Sequence, residues 1–310
     1  MSDQGIVILC PGQGAQAVGM GRAWAEASAA ARVVFDEADR ILGDSLGGSL
    51  SELCFGGAAE RLNRTDASQP AIYTCSVASL RGLTERGEAL IDHTIAAAGL
   101  SLGEYTALHL AGSLSFEDGL RLVALRGRVM QDACEERPGG MVALVGAEPA
   151  QARAVCERAS SGQILVPANF NAPGQIVLSG HSEACARAVE VAAEMGLRAS
   201  PLKVAGAFHS PLMQSAADRM ADALAAVSLT PLALDVWSNV TARPHDAANG
   251  ELLRQRLVEQ IVSPVQWSQT CLGLVSTGDH AYHELAPGTV LRGLMRRIER
   301  QARVTSHDEP

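Results

Sequence analysis

A chain of 310 residues with 47% hydrophobic and 19% charged residues can bury a large core and has the balance of an ordinary globular protein. Its net charge of −9 argues against general affinity for nucleic acid or anionic membrane, and no run approaches the roughly 20 apolar residues of a membrane helix. Seven cysteines scattered without a C-x-x-C pair argue against a zinc site or disulfide framework and point to the reducing cytoplasm.

Ile6 to Cys10 is a continuous apolar run opening into Pro11-Gly12-Gln13-Gly14, the pattern of a buried strand ending in a tight turn. It is too short, and lacks the basic flank, for a signal peptide. Helical periodicity covers about Trp24 to Leu42 and Gln69 to Glu85. Thr94 to Ala98 reads as a strand leading through Gly99-Leu100-Ser101-Leu102-Gly103 into a helix over Glu104 to Ala111. Ser115, with Asp118 three residues on, is the expected N-cap of a helix through Cys134.

From Gly139 the rhythm shortens. Strands over Met141–Val145, Ile164–Ala168, Gln175–Ser179 and Leu197–Val204, with helices over Pro149–Ala159 and Glu183–Met195, give the order β-α-β-β-α-β of a ferredoxin-like unit. An Asn171-Ala172-Pro173-Gly174 turn is expected to join the two middle strands. The division is therefore 1–138 and 205–310 for a large α/β subdomain, and 139–204 for an inserted small one. Ser210-Pro211 starts a helix to about Val227. A strand near Asp235–Ser238, helices near Leu252–Ile261 and Trp267–Val275, a strand at His280–Glu284 and a terminal helix from Thr289 follow.

Two G-x-S-x-G pentapeptides occur, and only context separates them. Gly43 to Gly47 follows a helix, with Gly43 as its cap, so Ser45 is a loop serine. Gly99 to Gly103 lies between strand and helix, where Ser101 is a candidate nucleophile at a helix N-terminus. A serine hydroxyl needs a base. Of eight histidines, His209 stands immediately before a helix start, where a neutral imidazole is favoured; a capping histidine is the alternative. His181 also precedes a helix, inside the insert, whereas His93, His245, His280 and His307 read as loop or surface.

Arg126 falls on the apolar stripe of Leu122, Leu125, Val129 and Met130, with no acid at its i±3 or i±4 positions. An unpaired buried guanidinium costs several kcal/mol, so Arg126 requires an anion. That anion is either a distant Asp or Glu or a ligand carboxylate gripped by the planar fork. Arg292, Arg296, Arg297 and Arg300 cluster on the terminal helix, either as a solvated helix end or as a patch for phosphate or an acidic partner. Lys203 is the only lysine, a bias of composition.

These pieces occur together with Pro-Gly-Gln-Gly-Ala-Gln (11–16), Ser-Leu-Gly-Glu-Tyr (101–105), Arg-Gly-Arg-Val-Met-Gln (126–131), Asn-Phe-Asn-Ala-Pro-Gly-Gln (169–175), Phe-His-Ser (208–210) and Pro-Val-Gln-Trp (264–267). In these motifs the chain resembles the malonyl-CoA:acyl carrier protein transacylases and the related acyltransferase domains of polyketide synthases, over about residues 5 to 300. The resemblance implies an α/β-hydrolase-like large subdomain carrying a ferredoxin-like small one. It implies Ser101 as nucleophile, His209 as base oriented by the backbone carbonyl of Gln260, the N–H groups of Gln13 and Leu102 as oxyanion hole, and Arg126 as binder of the malonyl carboxylate. It implies ping-pong transfer from malonyl-CoA to an acyl carrier protein in fatty acid or polyketide synthesis, without a cofactor, by a cytoplasmic monomer. Phe208 resembles the malonyl-selecting residue of polyketide acyltransferases, while Leu100 stands where the family usually has histidine. A serine esterase or acyl-CoA hydrolase on the same elbow, or a silent carrier-binding subunit, are the competing readings.

Overall fold

The computed structural model describes residues 4–88 and 90–310, and two sheets organise it. The larger has five parallel strands: β1 (Ile6–Cys10), β2 (Thr94–Gly99), β7 (Asp235–Trp237), β8 (Ala281–Leu285) and β9 (Val304–His307), in the order β7-β2-β1-β8-β9. The smaller is antiparallel: β3 (Gly139–Val145), β4 (Leu165–Ala172), β5 (Gln175–His181) and β6 (Arg198–Pro201), in the order β4-β5-β3-β6. With helices Pro149–Ser160 and Ser182–Glu194 this is the ferredoxin-like arrangement, set within an α/β chain whose larger sheet resumes afterwards.

The central strand is apolar throughout because both of its faces are covered. Ile8 and Cys10 pack on one side with the long helices, while Val7 and Leu9 pack on the other with Trp237, Trp267 and Leu291. Helix Thr65–Glu85 is almost wholly buried and lies against helix Phe116–Glu136, whose N-cap Ser115 accepts the Asp118 amide hydrogen bond. The small sheet has its own core of Val142, Leu144, Ile176 and Leu178 beneath its two helices. The small sheet is tied to the large subdomain where Val265, just before helix Trp267–Ser276, forms backbone bonds to Ala168 and Phe170 of β4 (2.8 and 2.9 Å).

Several local expectations need correction. The first helical stretch is broken at Ser28, whose extended backbone ends helix Arg22–Ala27 and whose hydroxyl caps helix Ala29–Leu42. The second begins at Thr65, four residues before Gln69: Pro70 sits within the first two turns, where it removes a single backbone bond. Leu50–Gly56 and Ala59–Leu62 are additional short helices. Ser210 caps a 3-10 turn, Pro211–Met213, before helix Gln214–Ala225. The chain does not end on the helix Val290–Ile298 but on β9, a four-residue edge strand too short and polar to announce itself.

Candidate active site

The carboxyl ends of β1 and β2 lie side by side, with Cys10 paired to Gly99, and the chain leaves both toward one cleft. This is where a parallel sheet presents ligand sites. The approach of the two turns is enforced by absent side chains: a Cβ on Gly12 would lie 2.2 Å from the Leu100 carbonyl oxygen, and one on Gly103 would lie 2.1 Å from that of Cys10. Ser101 turns the chain with φ 53°, a left-handed conformation that L-residues rarely adopt, and helix Gly103–Leu110 follows. Its backbone is gripped from both ends: its N–H donates to Asn239 Oδ1 (2.5 Å), and its carbonyl accepts from Gln260 Nε2 (3.0 Å).

His209 arrives from the far side of the chain, also at positive φ (55°), and its Nε2 lies 2.9 Å from Ser101 Oγ. Its Nδ1 is 2.8 Å from the Gln260 carbonyl. A carbonyl can only accept, so the proton resides on Nδ1 and the Nε2 lone pair faces the serine. Burial, and after it the charge of Arg126, pull the imidazole down to about 4, outweighing the upward pull of the backbone carbonyls. The imidazole is therefore neutral at neutral pH, with its Nε2 free to accept a proton.

Arg126 is 1% exposed. Its guanidinium donates to Gln69 Oε1 (2.7 Å), Ser101 Oγ (3.0 Å) and Gln260 Oε1 (2.9 Å), and lies over the Tyr105 ring. All three acceptors are neutral; among the described residues Arg126 has no ion pair, and its Nε has no acceptor. Burial draws its proton affinity down. A cation so placed, bonded to no carboxylate and facing the buried Glu104 only across the Gln260 amide, is set up for an anionic ligand beside the serine.

The serine, histidine and arginine line a cleft of about 600 Å³, together with Gln13, Leu100, Met130, Phe208 and, from the small sheet, Met141, Asn169, Asn171 and Gln175. Among the described residues the amides of Gln13 and Leu102 meet no backbone or side-chain acceptor, and both belong to the turns that meet behind Ser101. Beside the cleft is a second hollow of about 550 Å³ lined by Pro173, Arg296, Arg297 and Arg300, and Arg297 donates to the cleft residue Gln175 (2.6 Å).

Of the six residues picked from the sequence, Gln13, Ser101, Arg126 and His209 line the cleft, Gln260 lies buried behind it against Ser101, His209 and Arg126, and Leu102 is buried next to Ser101, while Ser45 is exposed on its 3-10 turn. Sequence reasoning missed four others. Gln69 and Asn239 anchor the arginine and the serine backbone. Glu104 is 1% exposed and binds His245 Nε2 (2.7 Å), so His245 is buried rather than superficial. His307 is buried too, stacked on His283, because β9 is tucked beside β8. A glutamate two residues inside a motif that begins a buried helix was the available signal for Glu104; Asn239 offered none.

An acyl transferase domain model matches residues 7–307. The malonyl CoA-acyl carrier protein transacylase of Escherichia coli K12 is 38% identical over 301 residues, 97% of this chain and 94% of that one. The solved malonyl-CoA:acyl carrier protein transacylase of Xanthomonas oryzae superposes with a TM-score of 0.92 at 40% identity, covering 100% of this chain and 96% of the other. A malonyl-transacylase solved with a type II polyketide acyl-carrier protein gives 0.92 at 35% identity, covering 99% and 96%. Matched in this way along nearly its whole length, the chain belongs to the acyl transferase domain family.

Proposed function

We propose that this protein moves a malonyl group from malonyl-CoA to the phosphopantetheine thiol of an acyl carrier protein through an ester on Ser101. The observation that carries the reading is the buried guanidinium of Arg126, 3.0 Å from the serine hydroxyl and bound only to neutral acceptors. An esterase for neutral acyl groups has no use for it; a half-thioester of a dicarboxylic acid does.

The steps follow from the geometry. His209 Nε2 takes the hydroxyl proton as Ser101 Oγ bonds to the thioester carbonyl carbon. The carbonyl oxygen becomes an oxyanion facing the N–H groups of Gln13 and Leu102, and each such donor stabilises the transition state by about 2.7–4 kcal/mol. Collapse breaks the carbon–sulfur bond, and the imidazolium returns its proton to the coenzyme A sulfur. The carrier's thiol then repeats the sequence in reverse, leaving Ser101 free. Serine and histidine supply the whole proton inventory, so no resident cofactor is invoked. The arginines at 296, 297 and 300 are read as a docking site for phosphate-bearing coenzyme A or the carrier. Charge reversal at 296 and 297 is expected to raise the Michaelis constant for at least one of them.

The protein is further read as a cytoplasmic monomer; the seven cysteines are free and buried, as a reducing compartment permits. The direct test is intact mass spectrometry after incubation with malonyl-CoA. A malonyl adduct, absent in Ser101→Ala and discharged faster onto carrier protein than onto water, is the expected result. Discharge to water alone makes the protein a hydrolase, and no adduct makes it a silent carrier-binding subunit.

A further inference from the structure

Glu104 lies in the helix after the nucleophile, and its carboxylate is shared among three donors. Oε1 accepts from His245 Nε2 (2.7 Å), and Oε2 accepts from Gln260 Nε2 (2.6 Å) and the Asn239 backbone N–H (3.1 Å). All four residues are buried. Gln260 and Asn239 touch Ser101 directly and His245 does not, so two routes lead from the carboxylate to the reacting groups. Through Asn239 it reaches the Ser101 N–H; through Gln260 it reaches the Ser101 carbonyl and Arg126.

The amide of Gln260 has two orientations, and only one is compatible with its surroundings. As placed, its NH2 faces two acceptors, Glu104 Oε2 and the Ser101 carbonyl, leaving Oε1 for the Arg126 guanidinium. The flipped amide turns oxygen toward two oxygens and NH2 toward a buried cation, three unfavourable contacts where polar groups have no water to turn to. A carboxylate can only accept, so it enforces this choice, and His245 holds the carboxylate by its second oxygen. A carboxamide in its place can also donate, and one of the three contacts that enforce the orientation is lost, leaving the Ser101 carbonyl and Arg126 to hold it.

From this juxtaposition we infer that Glu104, held by His245, is a positioning residue that fixes the Gln260 amide and thereby presents Arg126 to the acyl carboxylate. The same carboxylate holds the strained Ser101 backbone at both its N–H, through Asn239, and its carbonyl, through Gln260. The inference rests on the reading of Arg126 as the malonyl carboxylate binder.

The test compares malonyl-CoA with acetyl-CoA, which has no carboxylate, as donors to Ser101 in the full-length protein. Arg126→Ala establishes whether the arginine carries the malonyl preference. Glu104→Gln, close to isosteric, is expected to reduce the malonyl-to-acetyl ratio of kcat/KM by about tenfold, the equivalent of one weakened charge-assisted bond. His245→Asn moves the ratio in the same direction, and carries the comparison if Glu104→Gln does not fold. In a Gln260→Met background, where there is no amide to orient, Glu104→Gln is expected to leave the ratio unchanged. Arg126→Ala losing the preference while the folded Glu104 and His245 variants keep it overturns this inference alone. A uniform fall for both donors, as a merely structural residue produces, also overturns it. Arg126→Ala keeping the preference removes the reading of Arg126 and the inference with it.

Discussion

The acid limb of acylation is the most direct measure of how the site tunes its base. His209 Nε2 and an Arg126 nitrogen both lie within hydrogen-bond distance of the same serine oxygen (2.9 and 3.0 Å). Their charges are therefore within about 6 Å, where an effective dielectric of about 20 gives roughly 3 kcal/mol of repulsion, or about two pKa units. Burial is the larger cause of the net depression from 6.5 to about 4, Arg126 is the next, and backbone carbonyls oppose both. The sign is fixed: the guanidinium disfavours imidazolium, and an unprotonated base is the active form. At pH 5.5 the site is then almost wholly competent, whereas an imidazole near 6.5 is about nine-tenths protonated there. In pH-jump quenched-flow acylation by acetyl-CoA, kcat/KM is expected to stay level from pH 8 to about 5 and then fall tenfold per unit around 4. Arg126→Gln should move that limb upward by up to about two units. With malonyl-CoA the bound carboxylate screens the guanidinium, so the limb of kcat should lie above that of kcat/KM. A limb near 6.5 in the wild type, or one unmoved by Arg126→Gln, refutes the reasoning.

Other consequences can be checked separately. Gly103→Ala places a Cβ 2.1 Å from the Cys10 carbonyl oxygen, a backbone collision that cannot relax through a side chain. It should cost about 3 kcal/mol or more, read as a lowered midpoint in urea or as insoluble expression. Phe208 is buried and lines the cleft, so Phe208→Ala should relax discrimination against methylmalonyl-CoA, by about 10- to 200-fold in the kcat/KM ratio. The stacked pair His283 and His307 is held below the usual imidazole range, His283 at about 4 with burial first and His307 second among the causes. Folded histidines that bind protons more weakly than unfolded ones favour the native state above 6.5 and lose that advantage as pH falls toward 4. The melting temperature should therefore drop across that window, and less steeply in His283→Asn.

Much of this was legible in the sequence because the informative residues lie at chain reversals. Strand-turn-helix context separated Ser101 from Ser45, and one arginine on an apolar stripe revealed that Arg126 is buried. The alternation of short strands and helices after Gly139 carried the antiparallel sheet. What escaped was set by long-range pairing. His245 has the local setting of a surface loop, and its backbone bond to Val236 together with its side-chain bond to Glu104, 141 positions away, draws it inside. Gln69 and Asn239 are ordinary polar residues until the fold brings them to Arg126 and Ser101. β9 is a strand only because β8 offers it an edge, and Pro70 is tolerated in a helix because burial on every side secures that helix.

The backbone bonds between Val265 and β4 bear on how acyl groups are sorted. They stitch the edge strand of the small sheet to the segment that follows Gln260, so the two lobes are joined by main-chain bonds beside the cleft. Parting them to admit a bulkier acyl group means breaking main-chain bonds in addition to moving side chains. Selection by size in a frame so joined is a matter of fixed shape, beside the selection by charge that Arg126 supplies, and admitting larger donors means recarving the walls one side chain at a time.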